Sequence, residues 1–324
     1  MVNVSEFVER IQANELLNKN EILPLITAPL DVICSGADRI RRHFNKDRFD
    51  ICSIVNAKSG VCSEDCKFCA QSRRYATNTT YYELVDNDVL IQTAIYCHAR
   101  GVRRFSIVTS GKRLSDNEID RICHAVRQIK ATTALGICVS IGLSTEDQLV
   151  QLKDAGVTRI HNNLEASENF FPKICTTHTF RQKVETILTA QRYGFEICSG
   201  GIIGLGETFE DRIDLAFAAR ELNVVSMPIN ILNPIPGTPF ATKEKLSEEE
   251  VLRTIAMTRF IHPACVLRLA GGRALLADNG RRCFTSGANA VITGDMLTTS
   301  GSQVEDDIRM ITSLGYSIEG EALR

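Results

Sequence analysis

Apolar and polar positions along this chain follow two interleaved rhythms. Runs rich in β-branched and aliphatic residues recur at ICSIVN (from 51), RRFSIVTS (103), GICVSIG (136), TRIHNNL (158), FEICSGGIIG (195), VVSMPINIL (224), CVLRLAGG (265) and ANAVITG (288). Between them lie stretches such as DNEIDRICHAVRQIK and TEDQLVQLKDAG, whose apolar residues fall three and four apart, the spacing of one helix face. Eight strands alternating with helices predict an α/β fold, a (β/α)8 TIM-type barrel built as one domain of about 250 residues. Two separate α/β halves are the structural alternative. Residues 1–46 show helical periodicity instead, in EFVERIQANELL and LDVICSGADRIRRHF, so an N-terminal helical cap is expected before a barrel with a C-terminal extension over 47–324. There is no low-complexity segment and no linker rich in Pro, Gly or Ser.

Composition narrows the function classes. An apolar content of 44% over 324 residues supports a sizeable core, and 39 acidic against 37 basic residues leave a formal net charge of -2, so no nucleic-acid footprint is expected. The start, MVNVSEFVERIQANELL, lacks an apolar signal core, and no apolar run is long enough to cross a bilayer; a cytoplasmic location without membrane contact is expected. Twelve cysteines in such a chain argue for metal or redox chemistry in a reducing compartment instead of disulfides.

The chemistry concentrates in SGVCSEDCKFCAQS. Cys62, Cys66 and Cys69 form a Cys-x3-Cys-x2-Cys array, and three thiolates hold three corners of a 4Fe-4S cube while leaving one iron open to another ligand. A structural zinc site closes with four ligands, usually as two separated pairs, and the nearest candidates for a fourth here are Cys52 and Cys97. In a barrel, chemistry belongs at the C-terminal ends of the strands. The array follows the first strand candidate through NAKSG, which agrees with that placement.

The spacing resembles that of the radical S-adenosylmethionine superfamily, in which the open iron is chelated by the methionine moiety of the cofactor. Three longer stretches, NAKSGVCSEDCKFCAQS, ICSGGIIGLGET (197–208) and MPINILNPIPGTPF (227–240), are similar to the biotin synthase family, and the likeness runs in order along nearly the whole chain. That resemblance implies sulfur insertion into dethiobiotin at C9 and then C6, with an electron donor of flavodoxin or ferredoxin type and a homodimer. By position it also implies that Phe68 and Ile202 pack near the cofactor's adenine, Glu165 contacts its ribose and Lys183 its carboxylate. Asn163 and Asn230 fall where the family binds the ureido ring of dethiobiotin; an amide donates and accepts at once, as that ring requires. Glu165 and Lys183 stand where the family more commonly has Asp and Arg. The glycines of GGIIGLGE are expected to let backbone approach the adenine.

The resemblance implies a second, auxiliary iron-sulfur cluster deep in the barrel, held by three cysteines and an arginine. Cys138, Cys198 and Arg268 match three of those positions, but Ser106 stands at the fourth, and a serine hydroxyl rarely ionises at neutral pH. Cys52, on the first strand, is the expected replacement. A four-iron cluster on Cys52, Cys138 and Cys198, its remaining iron met by Arg268 or an extra sulfide, is one form; a 2Fe-2S cluster is the other. Otherwise Cys52 is a buried apolar residue. Cys34, Cys97, Cys123, Cys175, Cys265 and Cys283 are expected as core or surface thiols, and His161 as a hydrogen-bonded structural residue. The rivals are radical enzymes of the hydrogenase-maturation or pyrrolysine-pathway type and a non-catalytic metal-binding protein.

Overall fold

The computed structural model describes residues 3–294, 297 and 301–318; the stretch 319–324 assigned to the barrel extension lies outside them. The N-terminal segment forms α1 (Val4–Gln12), α2 (Lys19–Ile22) and α3 (Leu30–Asn45). Then follow β1 (Asp50–Lys58), α4 (Asn87–Ala99), β2 (Arg104–Thr109), α5 (Asp116–Thr132), β3 (Gly136–Ser140), α6 (Glu146–Ala155), β4 (Arg159–His161) and α7 (Phe180–Arg192). The second half contains β5 (Glu196–Cys198), β6 (Gly201–Ile203), α8 (Phe209–Glu221), β7 (Ser226–Ile231), α9 (Glu248–Ile261), β8 (Val266–Leu269), α10 (Arg281–Phe284), β9 (Ala290–Thr293) and α11 (Val304–Ser313).

All strands pair in parallel, in the order β5-β4-β3-β2-β1-β9-β8-β7-β6, and β5 also pairs with β7, which closes the barrel. All eight expected strands are present, but FEICSGGIIG is not continuous. It forms β5 and β6, which share one barrel position. At the break, the Gly200 N–H is bonded by the Asn163 side-chain Oδ1 (3.1 Å) in place of a ladder carbonyl. The helices after β2, β3, β4, β6 and β7 each begin with a capping box: Ser115/Glu118, Thr145/Gln148, Thr179/Gln182, Thr208/Asp211 and Ser247/Glu250. Each box satisfies two otherwise orphaned N–H groups and fixes where the βα loop ends.

The N-terminal helices differ from expectation in extent and placement. EFVERIQANELL does not stay helical to its end: the helix stops at Gln12, and Asn14 adopts a left-handed φ of 66°. The segment lies against the side of the barrel instead of over an end, with α1 on α3 and α3 along α9. Arg253 Nη1 donates to Ala28 O at 2.7 Å, and Arg220 Nη1 to Leu17 O at 2.9 Å. A Cβ on Gly36 would come within 2.9 Å of the Phe260 ring, so the close approach of α3 to α9 requires glycine there. Because α10 is only four residues long, α3 takes up the outer-ring space after β8, where Ala37 meets Gly287 and Arg41 lies over the Tyr316 ring.

The C-terminal helix is tied down by a buried ion pair. Arg273 Nη1 and Nη2 donate to the two carboxylate oxygens of Asp307 at 2.7 and 2.8 Å, both side chains being almost wholly buried. Removing one partner strands the other charge. Asp307→Ala is therefore expected to cost about 3–5 kcal/mol, read as a lowered urea midpoint; a midpoint equal to wild type would show the pair to be dispensable.

Candidate active site

Parallel strands point alternate residues inward, and that period of two assembles the site. Asp50, Cys52 and Ile54 share one face of β1, Arg104, Ser106 and Val108 one of β2, Cys138 and Ser140 one of β3, and Arg159 and His161 one of β4. All but Asp50 line a single cavity of about 430 Å³ that opens at the C-terminal ends of the strands. All thirteen residues singled out from the sequence line this same cavity: Cys52, Cys62, Cys66, Phe68, Cys69, Cys138, Asn163, Glu165, Lys183, Cys198, Ile202, Asn230 and Arg268. The sheet register explains the convergence, since Ser106 pairs with Cys138, Cys138 with Arg159, His161 with Cys198 and Ile202 with Asn230.

The cysteine array sits in the connection of residues 59–86 between β1 and α4. A connection this long carries function or disorder, and here it is ordered by bridges Ser59–Tyr82 and Cys62–Ser72. Burial pushes the Cys69 thiol up to about 11, with backbone N–H groups of Gln71 and Ser72 opposing. Among the described residues, Cys62, Cys66 and Cys69 do not converge tightly enough to grip a single ion. Three thiols around one cavity, too widely spaced for one ion, suit the separated irons of a cube.

Beneath lies a second thiol group in a cationic setting. Cys52, Cys138 and Cys198 are buried, and Arg104, Arg159 and Arg268 line the cavity with them. Arg268 is bonded to Asp50 Oδ1 (2.5 Å) and to Val291 O (2.7 Å), and Arg159 Nη2 to Glu196 at 2.8 Å. Burial would raise the Asp50 carboxyl, but Arg268, Arg159 and Arg104 outweigh it and hold it down at about 2. Burial lifts Cys52 to about 11, and burial with the neighbouring thiols lifts Cys138 to about 12. Cys198 goes the other way, to about 6, because His161 and the Arg268 and Arg159 guanidiniums overcome its burial. Among the described residues, Arg104 Nε and Arg159 Nη1 are buried without a hydrogen-bond partner. A buried, unpaired donor is costly, and an anionic sulfide cluster on the three thiols would bring acceptors to this cationic wall. The residues present fit an auxiliary iron-sulfur centre.

Near the mouth, Asn163 Nδ2 donates to Glu165 Oε2 at 3.3 Å, and Lys183 Nζ to Asn162 Oδ1 at 3.2 Å. Asn230 Nδ2 donates to Gly201 O at 3.1 Å while its Oδ1 accepts from Gly271 N at 2.9 Å. A carboxamide has two N–H donors and two lone pairs, so Asn230 keeps one of each for a ligand. The glycine pair has a packing role that the sequence did not show. A Cβ on Gly200 would stand 2.0 Å from Pro228 O, and one on Gly201 2.4 Å from Glu165 O, so these glycines permit strand-to-strand approach.

Several participants were not singled out from the sequence. Arg104 and Arg159 were legible by parity, each lying two residues before an inward side chain. Asp65, inside the array, ties the loop to the segment after β4 by accepting from Thr176 N (2.8 Å) and Thr177 N (3.2 Å). Cys175, expected as an idle thiol, has its Sγ 3.8 Å from that of Cys66. His161, in register with Cys198, lines the cavity beside it. Cys34, Cys97, Cys123, Cys265 and Cys283 stay off the cavity wall.

Comparison with known proteins places this site in a family. A family model described as the radical SAM superfamily matches residues 57–219, and one described as the Biotin and Thiamin Synthesis associated domain matches 228–317. The chain is 49% identical to the biotin synthase of Brachyspira hyodysenteriae, over 98% of this chain and 96% of that one. It is 48% identical to the biotin synthase of Clostridium botulinum strain Langeland, over 98% and 100%. Among solved structures, methylornithine synthase superposes with a TM-score of 0.84 at 17% identity, covering 97% of both chains. The FeFe-hydrogenase maturase of Carboxydothermus hydrogenoformans does so with a TM-score of 0.80 at 13% identity, covering 97% of this chain and 78% of its own. Such low identities show a shared fold alone, so the barrel does not separate the rival radical enzymes. Sequence identity near one half along almost the entire length does separate them: the chain belongs to the biotin synthase family of radical S-adenosylmethionine enzymes.

Proposed function

We propose that this chain converts dethiobiotin to biotin within the 430 Å³ cavity, with Cys62, Cys66 and Cys69 holding a 4Fe-4S cluster and Cys52, Cys138, Cys198 and Arg268 holding the auxiliary one. The observation that carries the assignment is the meeting of both thiol groups and both asparagines on one cavity wall. When bound, the cofactors supply an S-adenosylmethionine-derived radical that abstracts hydrogen at C9 and then C6, and the sulfur that replaces it. The chain's own residues position and shield. Phe68 and Ile202 offer apolar surface for the adenine, Glu165 a carboxylate for ribose hydroxyls, and Lys183 an ammonium for the cofactor's carboxylate. Asn163 and Asn230, braced on Gly200, Gly201 and Gly271, offer donors and acceptors to the ureido ring. Holding substrate between the two centres converts an encounter into a positioned reaction.

We take the auxiliary cluster on Cys52, Cys138 and Cys198 to be of the four-iron type, with a 2Fe-2S cluster as the other form; the unpaired guanidinium atoms on this wall suit the sulfide of either. Twelve free thiols and iron-sulfur chemistry suit a reducing compartment, so we place the protein in the cytoplasm, as a homodimer served by a flavodoxin- or ferredoxin-type donor. Among the described residues no helix is long and apolar enough to cross a membrane. The deciding assay is anaerobic incubation of reconstituted protein with dethiobiotin, S-adenosylmethionine and a reductant. Mass spectrometry is expected to find biotin together with 5'-deoxyadenosine. Cofactor cleavage that never yields biotin would refute the substrate assignment.

A further inference from the structure

We propose that the cysteine loop has a second metal state, in which one divalent transition-metal ion is held by Cys66, Cys175 and His178. One ligand atom from each lies within 4.8 Å of the others. The two sulfurs are 3.8 Å apart, and Cys175 Sγ is 3.3 and 3.8 Å from His178 Nδ1 and Nε2. Two thiolates about 2.3 Å from a tetrahedral ion stand about 3.8 Å apart, and a thiolate and an imidazole nitrogen about 3.5 Å. The thiol pair therefore already has the spacing such an ion imposes, Cys175 stands within a few tenths of an ångström of it from the ring, and Cys66 and the ring lie within 4.8 Å.

An independent feature points the same way. His178 Nδ1 lies 2.7 Å from Glu64 Oε2, both groups being buried. Metal-bound imidazoles characteristically hand their other N–H to a carboxylate, which fixes the tautomer and aims the free nitrogen. Asp65 holds the segment that carries Cys175, accepting from the backbone N–H groups of Thr176 and Thr177. The site is thus braced from both loops. Two thiolates and an imidazole select Fe2+, Co2+ or Zn2+ over Mg2+ or Ca2+.

In this second state Cys66 binds the single ion in place of an iron of the cube, which makes the two metal states alternatives. The exclusion rests on the proposed role of Cys66 in the 4Fe-4S cluster; the single-ion site does not. Zn2+ in the site blocks cluster assembly until it is removed.

The test is an anaerobic Co2+ titration of the metal-free full-length protein, followed by the thiolate-to-cobalt charge-transfer band and the visible bands of a tetrahedral ion. Wild type is expected to bind one tight equivalent that Cys175→Ser and His178→Gln each weaken at least tenfold, while Cys62→Ser keeps it. Both weakened variants are expected to build the cube with normal iron and sulfide content, which also shows that they fold. Should His178→Gln not fold, Cys175→Ser decides, because its hydroxyl can still reach Asp65. Unchanged cobalt binding in Cys175→Ser, or loss of the equivalent in Cys62→Ser, would place the ion elsewhere and overturn the site. A Cys66→Ser protein that still assembles the cube would instead remove the role of Cys66 in the cluster, and with it the exclusion, while leaving the single-ion site to stand or fall by the cobalt result.

Discussion

Cys52→Ala is expected to stop carbon-sulfur bond formation while leaving cofactor cleavage intact. Biotin yield falls at least about a hundredfold, a barrier increase of about 2.7 kcal/mol or more, whereas 5'-deoxyadenosine continues to form because Cys62, Cys66 and Cys69 are untouched. The reason is positional. Cys52 is buried on the inward face of β1, its Cα is in register with Arg104 on β2, and it lines the cavity with Cys138 and Cys198. Ser106, which lines the same cavity in register with Cys138, is the other candidate ligand on this side. Ser106→Ala separates the two: the auxiliary iron should survive it and be lost in Cys52→Ala. Iron and sulfide counts on anaerobically reconstituted protein read both, and full auxiliary iron in Cys52→Ala would reduce that thiol to core packing.

What the sequence made legible follows the range over which each signal acts. The loop thiols lie within eight residues of one another and the strand candidates carry their β-rich character locally, so the barrel could be read without knowing any partner, whereas Cys138, Cys198 and Arg268 are picked out by the family resemblance and Cys52 by its place on the first strand. Cys175 could not be read in either way. Its meaning lies in a contact with Cys66 across 109 positions, and a lone thiol before a turn carries no local mark of that. The N-terminal helices posed a similar problem: their amphipathic faces announced burial, but not that the space beside α9 after β8 was the vacancy they fill. The arginines were legible only once the strand parity was trusted for charged residues too. Buried guanidiniums are rare unless something pairs them, and here Asp50 and Glu196 pair part of what the thiols and their ligand complete.

The glycine pair has a packing role that the sequence did not show, and it gives the second large expected effect. Gly200→Ala should lose stability at or beyond the upper end of the about 1–3 kcal/mol usual for overpacking, and should lose biotin formation with it. The added methyl would sit 2.0 Å from Pro228 O, 2.9 Å from its carbonyl carbon and 3.0 Å from its nitrogen. All three are backbone atoms of β7, so no side chain can swing aside to relieve the clash. Any retreat of residue 200 pulls on the Asn163 Oδ1 bond to its N–H and on the Glu165 N–H bond to its carbonyl, displacing the amide assigned to the ureido ring and the carboxylate assigned to the ribose together. Gly136→Ala is the contrast. There the new methyl's nearest neighbours are the guanidinium end of Arg104, at 3.1 Å, and a long side chain can shift by a few tenths of an ångström, so a cost below about 1 kcal/mol is expected. Urea midpoints for the two variants, measured beside biotin yield, should separate by several-fold in free energy; equal midpoints would mean that β5, β6 and β7 have more room than their backbones show.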